Sequence, residues 1–322
     1  TIARHLGTDH TDHIVAGREA LDVIPLLPKM FDEPFADSSQ IPTYLVSRLA
    51  RQHVTVSLSG DGGDELFCGY RRYFQSQQIA GVLGYLPRSA RSLAATMCGW
   101  AIPVTGFASG RWQNRFQHAQ RLFSHTSADD LYHRHMQYWT DDESACLGVT
   151  PAPSEFMNRD SWLKSPHPEE RWMDLDARTY LPDDILTKVD RTSMAVALEA
   201  RVPLIDHRVV EFAWSLPLGY KRDATGGKLP LKRILAKYVP KEMFERPKKG
   251  FGVPMERWLC VELRDWAEDL LSEPSLKSAG FYNVPLIRQR WHAHTHGQPV
   301  WHYHLWGVLM LQAWLRAWPV AH

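Results

Sequence analysis

Residues 54–73 read VTVSLSGDGGDELFCGYRRY, and the organisation of the chain follows from this stretch. Val54, Val56 and Leu58 alternate with Thr55 and Ser57, the period of a strand with one buried face. The strand runs directly into Ser59-Gly60-Asp61-Gly62-Gly63-Asp64, where glycine permits positive φ and close approach of a ligand to the backbone. Asp64 and Glu65 then supply the acidic first turn expected at a helix start. Strand, glycine-rich turn and helix start together make the usual ligand position at the carboxyl edge of an α/β sheet. Backbone N–H groups at such a turn favour phosphate, and two carboxylates beside them, Asp61 and Asp64, point to a divalent metal between protein and phosphate. The Gly-Lys-Ser/Thr ending of a Walker loop is absent. The same composition also serves a helix-entry turn with solvated acids.

Upstream, residues 1–7 (TIARHLG) read as the last turns of a helix stopped by Gly7, with a short strand over residues 10–15. Ala20, Leu21, Ile24, Leu27 and Phe31 recur at helical spacing despite Pro25 and Pro28, which predicts a kink or two short helices. Residues 32–39 (DEPFADSS) form a loop by composition, and residues 43–51 (TYLVSRLAR) an amphipathic helix leading back to the strand. Helix, strand, helix, strand is the rhythm of a parallel α/β sheet. We therefore expect a partial α/β portion over residues 1–75 and a mostly helical remainder over residues 76–322.

Residues 76–172 are rich in Trp, Arg and His and lack strand alternation, so short amphipathic helices such as residues 128–138 are expected. Residues 110–115 (GRWQNR) interleave an aromatic with basic charge, but in a chain of balanced charge they read as a solvated helix face rather than a nucleic-acid contact. Residues 151–168 carry four prolines and read as a linker or loop. Over residues 173–197, helical in propensity, Asp184, Lys188 and Arg191 fall at i, i+4 and i+7, with Asp190 one step off that stripe. By spacing alone this is a surface salt-bridge ladder. Glu199 and Arg201 read either as a buried ion pair or as a substrate contact. Residues 246–254 (RPKKGFGVP) place Lys248 and Lys249 before a Gly-x-Gly turn, a cationic loop tethered by prolines. Lys228, Lys232 and Arg233 add positive charge around a plain amphipathic helix over residues 230–238, with no chemistry assigned. His292, His294 and His296, with His302 and His304 beyond, read as a helix end with solvated histidines rather than a metal site. Residues 301–318 carry Trp, Leu and Met at the spacing of a core helix.

The 322 residues suit one large domain or two small ones. Lys and Arg number 37 against 36 Asp and Glu, so no global field draws the chain to nucleic acid or anionic lipid. Cys68, Cys98, Cys146 and Cys260 are scattered without a C-x-x-C pair, the usage of a reducing compartment such as the cytoplasm. No apolar run reaches membrane-spanning length.

Three stretches, in order, carry a resemblance to a known family: SGDGGDELFCGYRRY over residues 59–73, LPDDILTKVDRTSMAVALEARVPLID over residues 181–206, and ERPKKGFGVPMERW over residues 245–258. Together they resemble the C-terminal, ATP-dependent synthetase domain of the asparagine synthetase family, from about residue 1 to the C-terminus. The resemblance implies part of an adenine-nucleotide-hydrolase-like parallel sheet followed by a mostly helical region. It implies ATP and Mg²⁺, with Ser59, Gly60, Gly62 and Lys249 as nucleotide-binding residues and Asp64 as metal ligand. It places Asp61, Lys248, Asp184 and Lys188 at the reacting groups, with Lys248 on the phosphates, and brings residues 32–39 close to the nucleotide. The implied reaction adenylates a carboxylate, aspartate in the first instance, and attacks it with ammonia drawn from glutamine by an N-terminal domain; a homodimer is compatible with it. Asp61 stands where asparagine synthetases commonly carry glutamate, which opens the alternative of a different carboxylate substrate. The family's Ser-Gly-Gly-x-Asp-Ser pyrophosphate loop and cysteine-headed amide-hydrolysing domain have no match here. The expectation is thus the C-terminal portion of a longer enzyme that does not turn over ATP alone, with a non-catalytic synthetase-like module as the further alternative.

Overall fold

A computed structural model of the chain describes residues 1–12, 14–105, 123, 127–139, 143–148, 153–245, 252–297 and 301–318. Lys248, Lys249 and residues 110–115 lie outside the described residues. The chain is mixed α/β and mostly helical, with one two-stranded parallel sheet among the described residues. Strand β1 is Val56–Leu58 and strand β2 is Glu199–Arg201, in the register Val56↔Glu199, Ser57↔Ala200, Leu58↔Arg201. The β1 strand thus lies where alternation places it, but its apolar side is not a buried face: Val56 and Leu58 are 51% and 74% exposed. The strand expected over residues 10–15 is not formed. Its described residues are exposed coil, Ile14 at 94%.

The described residues form two compact units, one drawn from Thr1–Gly69, Leu175–Leu270 and Leu305–His322, the other from Tyr70–Asp174 and Leu271–His304. In the first, Ile2–Leu6 is a helix closed by Gly7 at φ 66°. Pro25 and Pro28 divide the next helical run into Gly17–Leu21, a 3₁₀ turn Ile24–Leu26 and Leu27–Met30, since each proline removes a helical donor. The broken run still buries Ala20, Val23, Ile24, Leu27 and Phe31. Helix Gln40–Arg51 buries Ile41 and Leu45 and packs against helix Thr187–Met194. Leu66, Phe67 and Ala213 are buried together, with Val209, Val210, Trp214, Leu216 and Leu231 around them. Helix His302–Ala317 carries the apolar stripe that its spacing implies, burying Leu305, Trp306, Leu309 and Met310. Its C-terminal part is fixed by Trp314 Nε1–H donating to the Phe31 carbonyl at 3.3 Å.

In the second unit, helix Arg71–Gly84 packs on helix Ala128–His135. Tyr73, Tyr132 and Trp172 are fully buried, and Tyr132 stacks on Trp172 at 4.8 Å between ring centroids. Trp172 Nε1–H donates to Asp129 Oδ1 at 2.8 Å, so the indole fills space and satisfies its polar atom at once. The histidines do not all follow the expected pattern. His292 and His296 are exposed at the end of helix Val284–Thr295, whereas His294 is buried at 1% exposure. No helix among the described residues is long and apolar enough to cross a membrane.

Two glycines test how tightly this frame is packed. A Cβ on Gly227 would lie 1.7 Å from the Cys68 carbonyl oxygen, whereas one on Gly81, inside helix Arg71–Gly84, meets nothing within 4 Å. Gly227→Ala should therefore cost about 2 kcal/mol or more, and Gly81→Ala should be neutral or stabilise by up to about 1 kcal/mol, both measured by calorimetric Tm. Trp172→Ala, which empties the centre of the aromatic stack, should cost about 3–5 kcal/mol in the same measurement.

Candidate functional site

The glycine-rich turn leaves the sheet at the carboxyl ends of both strands. Ser59 N–H donates to the Arg201 carbonyl at 2.8 Å, extending the β1–β2 ladder by one residue, and Ser59 Oγ donates to Asp61 Oδ2 at 2.8 Å. Gly62 caps the short helix Gly63–Leu66 at φ 81°, and a Cβ there would lie 2.7 Å from Ile205 Cγ2. Glycine at 62 is thus required twice, by a left-handed backbone and by the approach of the turn that follows β2. Around Gly60 a Cβ meets nothing within 4 Å, so packing does not require glycine there. A four-residue helix has little macrodipole of its own, so an anion at this turn needs cations as well as N–H groups.

One such cation is Lys228, to which the sequence reading assigned no chemistry. Its Nζ lies 3.0 Å from Asp64 Oδ2, with the lysine 30% and the aspartate 18% exposed. The pairing is built by backbone. Cys68 and Lys228 are both left-handed, at φ 56° and 61°, and Lys228 N–H donates to the Phe67 carbonyl at 2.8 Å. Gly69 N–H returns to the Asp64 carbonyl at 2.8 Å, and a Cβ on Gly69 would fall 2.2 Å from Asp64 Oδ1. The close approaches at Gly69 and at Gly227, which lies against the Cys68 carbonyl, therefore hold Asp64 and Lys228 together at the end of the turn. As a metal position, Asp64 fits an ion that takes its remaining ligands from phosphate and water, as Mg²⁺ commonly does. No group of three or more His, Cys, Asp or Glu that could hold a metal occurs among the described residues.

A second cluster gathers around Lys188. A π-helical turn, Leu181–Leu186, carries Asp184 and passes into helix Thr187–Met194. Thr187 Oγ1 donates to the Pro182 carbonyl at 2.8 Å across this widened turn, a local geometry that recurs at functional sites. The Lys188 side chain is only 10% exposed, which overturns the surface ladder expected from spacing. Its Nζ donates to Asp37 Oδ2 at 2.5 Å and lies 3.7 Å from Asp184 Oδ1. Asp37 also accepts from Ser39, N–H at 2.9 Å and Oγ at 2.6 Å. Burial works to raise the Asp37 carboxyl, but the Lys188 charge and the bonds from Lys188 and Ser39 outweigh it and hold Asp37 below its ordinary value. Burial, joined by the neighbouring Asp37 charge, pushes the Asp184 carboxyl up to about 7, with Lys188 pulling the other way. Three helical positions on from Lys188, Arg191 pairs with Asp32 at 2.9 Å and Asp190 at 2.7 Å.

Of the residues singled out in the sequence, Ser59, Gly60, Asp61, Gly62 and Asp64 share the turn, and Asp184 and Lys188 share the second cluster. Glu199 and Arg201 do pair, at 3.1 Å, but on β2 with 46% and 66% of their side chains exposed, so the buried-pair alternative is excluded. Sequence reasoning missed Lys228 and Asp37. Gly226-Gly227 before Lys228 was the available signal for a left-handed, close-packed backbone. For Asp37 the signal was Asp-Ser-Ser, an aspartate that folds back on the residue two positions later.

A family model described as Asparagine synthase matches residues 1–316. A Mycobacterium tuberculosis protein, provisionally named an asparagine synthetase (glutamine-hydrolyzing), is 31% identical over 321 residues, 97% of this chain and 47% of its own length. Asparagine synthetase (glutamine-hydrolyzing) 1 of Bacillus subtilis is 26% identical over 322 residues, 97% of this chain and 48% of its own. An amidase of Penicillium rubens is 23% identical over 255 residues, 74% of this chain and 38% of its own. The chain spans about half the length of the first two relatives. With the glycine turn and the Lys188 cluster already assembled in one compact unit, the match across nearly the whole sequence places this chain in the asparagine synthase family.

Proposed function

We propose that this chain is the ATP-dependent synthetase portion of a glutamine-hydrolysing asparagine synthetase. The observation that carries the reading is the turn after β1, which presents Asp61 and Asp64 at the carboxyl end of a parallel pair with the Lys228 cation beside it. In this reading β1 and β2 are two strands of an adenine-nucleotide-hydrolase-like sheet. In the same reading the whole protein is cytoplasmic and draws ammonia from glutamine in another domain, and a homodimer is compatible with it.

The chemistry has two steps. A carboxylate oxygen of aspartate attacks the α-phosphorus of ATP, and the bond to pyrophosphate breaks. Ammonia nitrogen then attacks the activated carbonyl, the C–O bond to AMP breaks, and a proton leaves the nitrogen. A free carboxylate is a poor electrophile, and adenylation gives its oxygen a stable leaving group. Ser59, Gly60 and Gly62 lie against the nucleotide, and Asp64 would hold Mg²⁺, whose role is to neutralise charge on the phosphates. Lys248 and Lys249 meet the charge that grows on departing pyrophosphate. Asp61, oriented by Ser59 Oγ, positions the nucleophile and accepts its proton, and Asp184 with Lys188 lines the reacting groups.

A second reading keeps this mechanism and changes the acid. Aspartate at position 61, where asparagine synthetases commonly carry glutamate, supports a carboxylate of different size. Both readings are tested by pyrophosphate release from the full gene product that contains these residues, given ATP, Mg²⁺, ammonium and a panel of acids. Release dependent on aspartate, reduced roughly a hundredfold or more in Asp64→Asn and Lys248→Ala, supports asparagine synthesis. Release dependent on another acid supports the second reading. No release with any acid, and no ATP binding, overturns both in favour of a non-catalytic module.

A further inference from the structure

Asp37 stands 151 positions before Lys188 in the chain, yet it makes the shortest contact to that lysine, 2.5 Å. It is also the best-held member of the cluster. Two donors from Ser39 fix both of its oxygens, an arrangement in which a carboxylate orients a neighbour rather than being oriented by it. Asp184 differs. Its Oδ1 is buried with no hydrogen-bond donor among the described residues, and Lys188 Nζ stands off at 3.7 Å. Two carboxyls on separate elements thus face one buried ammonium.

We propose that Asp37 is a positioning residue that aims the Lys188 ammonium, with the Asp184 carboxyl as the alternate partner of the same nitrogen. The significance for catalysis rests on the reading that Lys188 faces the reacting groups; the arrangement itself does not. One cation neutralises one carboxylate, so while Asp37 holds the lysine, the second carboxyl is more stable carrying a proton. That agrees with the opposite directions in which Asp37 and Asp184 are displaced. The elements packed here also carry Asp32 and Glu33 on the loop, Asp183 on the π turn, Asp190 and Arg191 on the helix, and Arg48 and Arg51 on Gln40–Arg51. The charges that act on Asp184 are those of Asp37 and Lys188. Arg191 is engaged by Asp32 and Asp190, and Arg48 by Glu19. Arg191–Asp32 and Lys188–Asp37 also strap the same loop to the same helix at positions three apart.

The test is a carbon-13 NMR titration of the aspartate carboxyls in the full gene product that contains these residues. Wild type should show one carboxyl titrating near 7, absent in Asp184→Asn. In Asp37→Asn, which keeps the size of the side chain and removes its charge, Lys188 turns to Asp184. The Asp184 titration should then fall by about one to three pH units, an effect that lost packing alone does not produce. An unchanged Asp184 titration in Asp37→Asn overturns the proposal. If Asp37→Asn does not fold, Asp184→Asn decides by the nitrogen-15 signal of the Lys188 ammonium. Persistence of that signal supports Asp37 as the holder, and its loss overturns the assignment. Where the full gene product is active, Asp37→Asn should lower kcat more than it raises KM. The titration needs no turnover, so failure of the synthetase reading and failure of this inference are read separately.

Discussion

A buried ammonium has to be matched by negative charge, and the Lys188 side chain makes that demand within the first unit. Leaving a cation unpaired in a low-dielectric setting costs several kcal/mol, so the backbone around Lys188 is arranged to bring carboxyls to it. The loop carrying Asp37 folds back through Ser39 to present one. The π turn Leu181–Leu186 presents the other. Helix Thr187–Met194, held in this way, packs on helix Gln40–Arg51 and leads through Ala197, at φ 57°, into β2. The register of β2 against β1 then sets where the glycine-rich turn begins.

The turn itself is held by different physics. Around Asp64 the constraint is backbone proximity: Gly62 against Ile205, Gly227 against Cys68, Gly69 against the Asp64 carboxylate. Left-handed residues at Cys68 and Lys228 make those approaches possible at a cost of about 1 kcal/mol or more each. The contacts of the Lys228 N–H with Phe67 and of its Nζ with Asp64 offset part of that strain. A site that joins a carboxylate, a cation and open backbone suits phosphate chemistry, because charge can be met where it develops with little reorganisation.

Local signals carried much of this architecture. The β1 strand, the helix start at Gly63, the break at Pro25 and Pro28 and the C-terminal core helix were all legible, because each depends on neighbours within a few residues. The three-residue strand β2 was not. Glu199-Ala200-Arg201 has neither alternation nor β-branched residues, and its conformation comes from the partner that β1 supplies. The described residues of 10–15 show the converse: expected as a strand, they are exposed coil. The carboxylates and lysines of the site were legible as residues but not as pairs. Asp37 and Lys188 meet across 151 positions, and no periodicity encodes a contact of that range. The elevated Asp184 carboxyl could not be foreseen for the same reason, since burial and the Asp37 charge both arise from tertiary structure.

The central claim is that a carboxylate is activated on the α-phosphorus of ATP, and isotope transfer tests it most directly. With an acid labelled in its carboxyl oxygens with oxygen-18, the full gene product should place one label in AMP, because the attacking oxygen leaves with the nucleotide when ammonia displaces it. Label in inorganic phosphate, or amide formed with unlabelled AMP, would contradict an acyl-adenylate and with it the reading of the turn after β1.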